Sequence, residues 1–190
     1  MERRVSRVNL HKHKNWAVFI SGQGSNLRAL LNSPEIAKIR LVVASKKNAN
    51  GLLFARRAGI PSIVLSNPID WEKLSVDLKK AGITSIFLLG FMRLLPKSFV
   101  DSWRHKILNL HPSLLPKYAG LNSIERAFNE QSDIGITVHE VTPEMDAGPV
   151  VIQKKVLAGD ELDGLSFEHC EFKVHVEEQN LIRRAILKWK

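Results

Sequence analysis

What most constrains the fold of this chain is an alternation. Short apolar runs are followed, one after another, by a turn and then by apolar residues at helical spacing. Trp16-Ala17-Val18-Phe19-Ile20 runs into Ser21-Gly22-Gln23-Gly24-Ser25-Asn26, after which Leu27, Leu30 and Leu31 recur with a helical period. Ile39 to Ala44 is a second run, followed by the polar turn Ser45 to Asn48 and a helix through Leu53 to Ala58. Gly59 breaks that pattern, and Ile60 to Leu65 reads as another strand. Residues 71–81 read as an amphipathic helix closed by Gly82, and Ile83 to Leu89 is apolar enough for a central strand buried on both faces. A helical stretch near 96–103 leads to a strand at 106–110. Strand and helix in alternation predict an α/β fold, a mostly parallel twisted sheet with right-handed crossovers and helices on both faces. Later the pattern changes. Ile134 to Val141 alternates with period two, Pro149 to Val156 is a further strand, and a charged helix runs from about Leu165 to Trp189. No repeat or linker divides the chain, so residues 15–190 read as a single domain behind a basic extension over 1–14.

In a sheet of this kind ligands gather beyond the carboxyl ends of the strands. Three loops fall there: 21–26, 90–95 and 109–120. The first offers two glycines, a hydroxyl and an amide directly before a helix, where unsatisfied backbone N–H groups and the helix dipole favour an anion such as phosphate. It lacks the lysine of a Walker loop, and Leu27 stands where a dinucleotide fingerprint needs its third glycine. The same residues also suit a plain βα turn with Ser25 or Asn26 as N-cap. In the third loop, Asn109 and His111 are two apart on an extended strand, so their side chains project to the same side. They enter the proline-braced stretch Pro112 to Gly120. A carboxamide and an imidazole at a strand end make a catalytic pair, although a buried structural histidine beside an asparagine would give the same pattern. Asp146, in Glu144-Met145-Asp146-Ala147-Gly148-Pro149, could orient the imidazole of His111 and stabilise its charged form. A carboxylate closing a β-turn is the alternative, and spacing alone does not bring the two together.

Composition narrows the partners. The net charge is +9, but nearly half of the excess sits in residues 1–14 as Arg3, Arg4, Arg7, Lys12 and Lys14 against Glu2. The remainder suits a protein handling anionic small molecules, and no basic stripe interleaved with aromatics argues for nucleic acid. No apolar run approaches the ~20 residues that span a bilayer. The single Cys170 fits a reducing, cytoplasmic setting. The seven histidines lack zinc-like spacing, so no metal is expected.

Four segments together resemble the phosphoribosylglycinamide formyltransferases, folate-dependent enzymes of purine biosynthesis with a Rossmann-like formyltransferase fold. They are Ile20 to Leu27, Gly90-Phe91-Met92-Arg93-Leu94-Leu95, Asn109 to Tyr118, and Met145 to Pro149, in the family's order and near its spacing. The resemblance covers the chain from about Trp16 onwards. It implies that Asn109, His111 and Asp146 form the catalytic group, and that the substrate phosphate lies on Gly24, Ser25 and Asn26. It also implies that the folate pterin lies against Met92, Arg93, Leu94 and Leu95, near Asn109 and with backbone contacts from the turn that begins at Val141. Glu178 matches a glutamate that helps hold the glycinamide substrate, and His175 stands where the family pattern has a polar amide. The implied reaction moves the formyl group of 10-formyltetrahydrofolate to the amine of glycinamide ribonucleotide, through a tetrahedral intermediate and without a metal. The chain departs from the pattern at Gly120 to Ile124, which replaces a histidine-bearing stretch, and at 66–75, where Lys73 is the nearest candidate for a basic folate contact.

Other formylfolate enzymes share the Asn-x-His and Asp constellation. A methionyl-tRNA formyltransferase is expected to continue into an RNA-binding domain, and a formylfolate hydrolase to carry a regulatory one. A sugar-amine formyltransferase needs a nucleotide-sugar site, for which no segment stands out. A non-catalytic folate- or RNA-binding module on the same fold is the alternative of a different class, and it would have no use for Asn109, His111 and Asp146 together.

Overall fold

In the computed structural model residues 14–189 are described, and apart from Lys14 the basic extension lies outside them. The chain alternates β1 (Trp16–Ile20), α1 (Ser25–Leu31), β2 (Ile39–Ala44), α2 (Gly51–Arg57), β3 (Ser62–Val64), α3 (Trp71–Lys80), β4 (Ser85–Leu88), α4 (Lys97–Ser102) and β5 (Ile107–His111). It then runs through α5 (Ser123–Asn129), β6 (Ile134–Glu140), β7 (Val150–Leu157) and α6 (Phe167–Lys188). The strands form one sheet in the order β3-β2-β1-β4-β5-β6-β7. The first five in that order are parallel, and β6 and β7 are antiparallel additions. Chain order reverses between β1 and β4, which opens a crevice at their carboxyl ends.

β1 explains why the sheet is covered twice. All five of its residues are buried. Because successive strand side chains point to opposite faces, Trp16, Val18 and Ile20 enter one hydrophobic core while Ala17 and Phe19 enter the other. Residues of α1, α2, α5 and α6 close the first core, and residues of α3 and α4 close the second. Each large apolar side chain so buried contributes roughly 1.5–3 kcal/mol.

The structure trims two expected strands for the same reason. Ile60 N–H donates to the Ala55 carbonyl to finish α2, and Pro61 has no N–H, so β3 starts only at Ser62. Likewise Ile83 N–H donates to the Leu78 carbonyl and closes α3, which delays β4 to Ser85. Helix α5 has no counterpart in the sequence reading, although Ile124, Ala127 and Phe128 do sit at helical spacing. β6 departs from the half-exposed strand that a period of two predicts. It is buried at every position before Glu140, because α6 covers one face and the loop after β5 packs on the other.

Candidate functional site

Four loop regions converge on the crevice. β1 ends at Ile20, and Ser21 N–H donates to the Gly90 carbonyl over 3.1 Å, tying the first loop to the loop after β4. The Ser21 hydroxyl accepts from Met92 N–H at 2.8 Å and lies 2.6 Å from the Ser45 hydroxyl. The three carboxyl-end loops of β1, β2 and β4 are thus hydrogen-bonded through one buried serine. Gly24 takes φ +72° as the residue that caps α1, and a Cβ there would meet the Gly51 backbone, so only glycine fits. The alternative caps, Ser25 and Asn26, are corrected by this: both lie within the helix, and no side chain caps it. The first-turn N–H groups therefore remain available at the helix start.

Asn26 turns inward instead. Its Nδ2 donates to Glu178 Oε2 over 2.9 Å. Glu178 lies in the buried stripe of α6 with Cys170, Val174, Leu181, Ile182, Ala185 and Ile186. It is the acidic member of that stripe and is only 5% exposed. His175 Nδ1 lies 2.9 Å from the same oxygen. That contact, against the opposing effect of burial, raises the imidazole's pKa, with the charges on Glu178 and Glu171 adding to it. Lys73 pairs with Asp77 on the exposed surface of α3.

Asn109, His111 and Asp146 meet. β5 carries Asn109 level with Leu88, the last residue of β4, and lifts His111 beyond it. The turn after β6 folds back so that Asp146, at φ +52°, reaches both. Its Oδ1 lies 3.4 Å from Asn109 Nδ2, and its Oδ2 lies 3.4 Å from His111 Nδ1 and accepts from Gly120 N–H at 2.9 Å. Gly148 makes the return turn possible, since a Cβ there would run into the Glu140 carbonyl. The Asp146 side chain is 11% exposed. Burial pushes its carboxyl pKa up, but the hydrogen bonds from His139 and Gly120 and the charges of His111 and His139 outweigh it, and the pKa is lowered.

One member of this group escaped the sequence reading. His139 is 2% exposed and pairs directly opposite Asn109 in the antiparallel register. Its Nδ1 lies 2.9 Å from the Glu140 carbonyl, which can only accept, so Nδ1 carries a proton. Its Nε2 then faces Asn109 Nδ2 at 3.1 Å and Asp146 Oδ1 at 3.5 Å. A signal did exist. Gly135, Thr137 and His139 share one face of β6 opposite Ile134, Ile136 and Val138, and a polar yet buried face marks a site rather than a surface. Thr137 serves the loop: its hydroxyl donates to the Ser113 carbonyl at 2.6 Å and accepts from Leu115 N–H and Gln153 Nε2. His111 Nε2 donates to the Tyr118 carbonyl at 3.1 Å, so both of its ring nitrogens face acceptors, an arrangement that suits the imidazolium.

The loop after β4 exposes Met92, Arg93 and Leu94. Phe91 anchors it by packing edge-on to Phe19 and Trp71. Leu121 and Met145 are also exposed, on the two segments that supply Gly120 and Asp146. Large apolar side chains left in water on several site loops suit a flat apolar ligand. Val141 packs on the second core, with its N–H donating to the Ile107 carbonyl. A cavity of about 370 Å³ between α1 and α2 is lined by Arg28, Asn32, Phe54 and Arg57 and by none of the site residues. Among the described residues no cluster of three or more His, Cys, Asp or Glu could hold a metal ion, and no helix is long and apolar enough to cross a membrane.

Comparison with known proteins finds relatives over most of the chain. The family model described as formyl transferase matches residues 14–186. The phosphoribosylglycinamide formyltransferase of Haemophilus influenzae is 39% identical over 187 residues, which is 93% of this chain and 86% of that protein. The Escherichia coli enzyme of the same name is 39% identical over 80% of this chain and 78% of its own length. Among solved structures, phosphoribosylglycinamide formyltransferase from Anaplasma phagocytophilum superposes with a TM-score of 0.83 at 36% identity, covering 92% of this chain and 86% of that one.

Proposed function

The chain belongs to the formyl transferase family, and from that premise we propose how its residues share the work of the reaction. It is a formyltransferase of purine biosynthesis that moves a formyl group from formylfolate to the amine of 5-phosphoribosylglycinamide. The donor is 10-formyltetrahydrofolate. The observation that carries the reading is the contact of Asn109, His111 and Asp146 at the carboxyl end of β5.

The amine nitrogen attacks the formyl carbon, the carbonyl oxygen takes up negative charge, and the bond from carbon to N10 then breaks. Asn109 Nδ2, giving up its 3.4 Å contact with Asp146 Oδ1, and the imidazolium of His111 donate to that oxygen. For this His111 Nε2 exchanges the Tyr118 carbonyl, its partner in the free protein, for the substrate oxygen. Asp146 keeps His111 charged and helps carry the proton from the attacking amine to the departing N10, directly or through water. His139, locked by the Glu140 carbonyl, acts as a positioning residue for Asn109 and Asp146. The backbone at Gly24, Ser25 and Asn26 receives the phosphate, and Glu178 holds the sugar end of the acceptor. Exposed Met92, Arg93 and Leu94, with half-buried Leu95 and Val141 behind them, form the bed for the pterin. Residues 15–190 act as one catalytic domain, with 1–14 as an extension to it.

The test is formyl transfer from 10-formyltetrahydrofolate, followed by absorbance, with and without the ribonucleotide. Turnover should require the ribonucleotide, and His111→Ala should abolish it while leaving ribonucleotide binding within a few-fold. Turnover without the acceptor would show a hydrolase, and a fully active His111→Ala would remove the proposed mechanism.

A further inference from the structure

The loop after β4, to which the pterin is assigned, is held by few bonds. Of residues 91–95, only Met92 has a backbone group with a hydrogen-bond partner among the described residues: its N–H donates to the Ser21 hydroxyl at 2.8 Å. Just before it, the Gly90 carbonyl accepts from the Ser21 N–H at 3.1 Å, with Gly90 turning the chain at φ +69°. Ser21 thus grips the loop twice, once with its backbone and once with its side chain. Apolar packing holds the rest, Phe91 against Phe19 and Trp71 and Leu95 on the second core. Such packing is non-directional, so it keeps the segment down without fixing its peptide planes.

The Ser21 hydroxyl is itself held. The residue is 4% exposed, and apart from Met92 N–H the group within reach of its oxygen is the Ser45 hydroxyl at 2.6 Å. A buried hydroxyl proton needs an acceptor, so Ser21 donates to Ser45, and the half-buried Ser45 is left to send its own proton to solvent. That order keeps a lone pair of Ser21 Oγ aimed at the Met92 amide.

We propose that Ser21 is a positioning residue for the formyl donor: its hydroxyl fixes the backbone at Met92 and with it the bed that Met92 to Leu95 offer the pterin. The inference rests on the reading of the site given above. Ser21 belongs to the loop before α1, yet its side chain serves the other substrate. The N–H and C=O groups of residues 93–95 are free to meet the polar edge of a ring, and they meet it productively only while the segment keeps one conformation. Without the hydroxyl the bond from Ser21 N–H to the Gly90 carbonyl survives, but beyond Gly90 only apolar contacts remain. The acceptor side is set separately, by α1 and by the close packing of Gly24 on Gly51.

The experiment compares the wild type with Ser21→Ala and with Ser21→Cys, which keeps the shape and a weaker acceptor. KM for 10-formyltetrahydrofolate should rise by about tenfold in Ser21→Ala and by less in Ser21→Cys. KM for the ribonucleotide should stay within twofold and kcat within threefold. Hydrogen exchange followed by NMR reads the bond directly: the Met92 amide should exchange at least about tenfold faster in Ser21→Ala, while the Leu89 amide, which donates to the Phe19 carbonyl, should not change. If Ser21→Ala does not fold, Ser21→Cys carries the same comparison. Equal rises in both KM values would overturn the proposal, because the serine would then only stabilise the loops in general. So would an unchanged donor KM, or an unchanged exchange rate at Met92. A wild type with no ribonucleotide-dependent turnover would instead overturn the functional reading beneath it, whereas the exchange at Met92 tells against the serine alone.

Discussion

Asn109 and His139 show how much one register pair decides. The two residues face each other across β5 and β6, and the bond from His139 Nδ1 to the Glu140 carbonyl holds the ring with Nε2 toward Asn109. Asn109 cannot serve as an oxyanion donor unless its amide is held in that orientation. Replacing Asn109 by Ala should therefore lower kcat by about 10²–10³, or ~2.7–4 kcal/mol, with little change in KM for either substrate. A steady-state comparison of the two parameters decides it, and a rise in KM at constant kcat would mean that Asn109 only binds. Asn109 and His111 were legible as a candidate pair from residue type and spacing, while Asp146 was joined to them only by the resemblance to the family. His139 was not legible, since a histidine in an alternating strand looks like an outward-facing one until the second face is seen to be covered.

At the scale of elements, the site depends on two connections that are ordinary in sequence and demanding in space. The turn from β6 to β7 must fold back tightly enough for Asp146 to reach β5, and Gly148 lies against the Glu140 carbonyl where no Cβ fits. Gly148→Ala should shift that turn, cost roughly 1–3 kcal/mol as an overpacked contact, and lower kcat more than stability alone explains. Urea denaturation beside single-turnover rates measures both, and unchanged kcat would show that Asp146 tolerates the displacement. The other connection is α5, which follows Asn122 in the left-handed region at φ +53° and was missed in sequence. A seven-residue helix spans two turns, too short for a period to stand out, and its stability comes from packing Ile124 and Ala127 on the sheet. The trimmed starts of β3 and β4 have a similar cause: apolar residues before them spend their N–H groups on closing a helix. Periodicity cannot separate that use from a strand.

The whole molecule is held in part by buried carboxylates whose pKa values folding lowers. Asp146 is one. Glu35 is another: the Ser33 hydroxyl lowers its pKa against the opposing effect of burial, with its own backbone N–H and Arg183 of α6 assisting. A carboxyl group with a depressed folded pKa contributes stability that is fully present above its unfolded pKa, about 4. That contribution is lost as pH falls through the lower folded value. The protein should accordingly hold its urea midpoint between pH 7 and 5 and lose stability below pH 4. Glu35→Gln should lower the midpoint at pH 7 and flatten the fall at acid pH. An identical pH slope in the variant would mean that the Glu35–Arg183 bridge contributes nothing at this scale. The sequence by itself determined the class of fold, because strand and helix periods are local properties of side-chain spacing and only a parallel, doubly covered sheet accommodates their alternation. Residue type marked Asn109, His111, Asp146 and the loop before α1 as candidates, and the resemblance to the family implied their roles. Only the tertiary structure decided that Asp146 touches His111, that His139 stands opposite Asn109, and that Glu178 joins Asn26 to His175. Those meetings join residues far apart in the chain, and their geometry is set by strand register and helix packing, which no local spacing encodes.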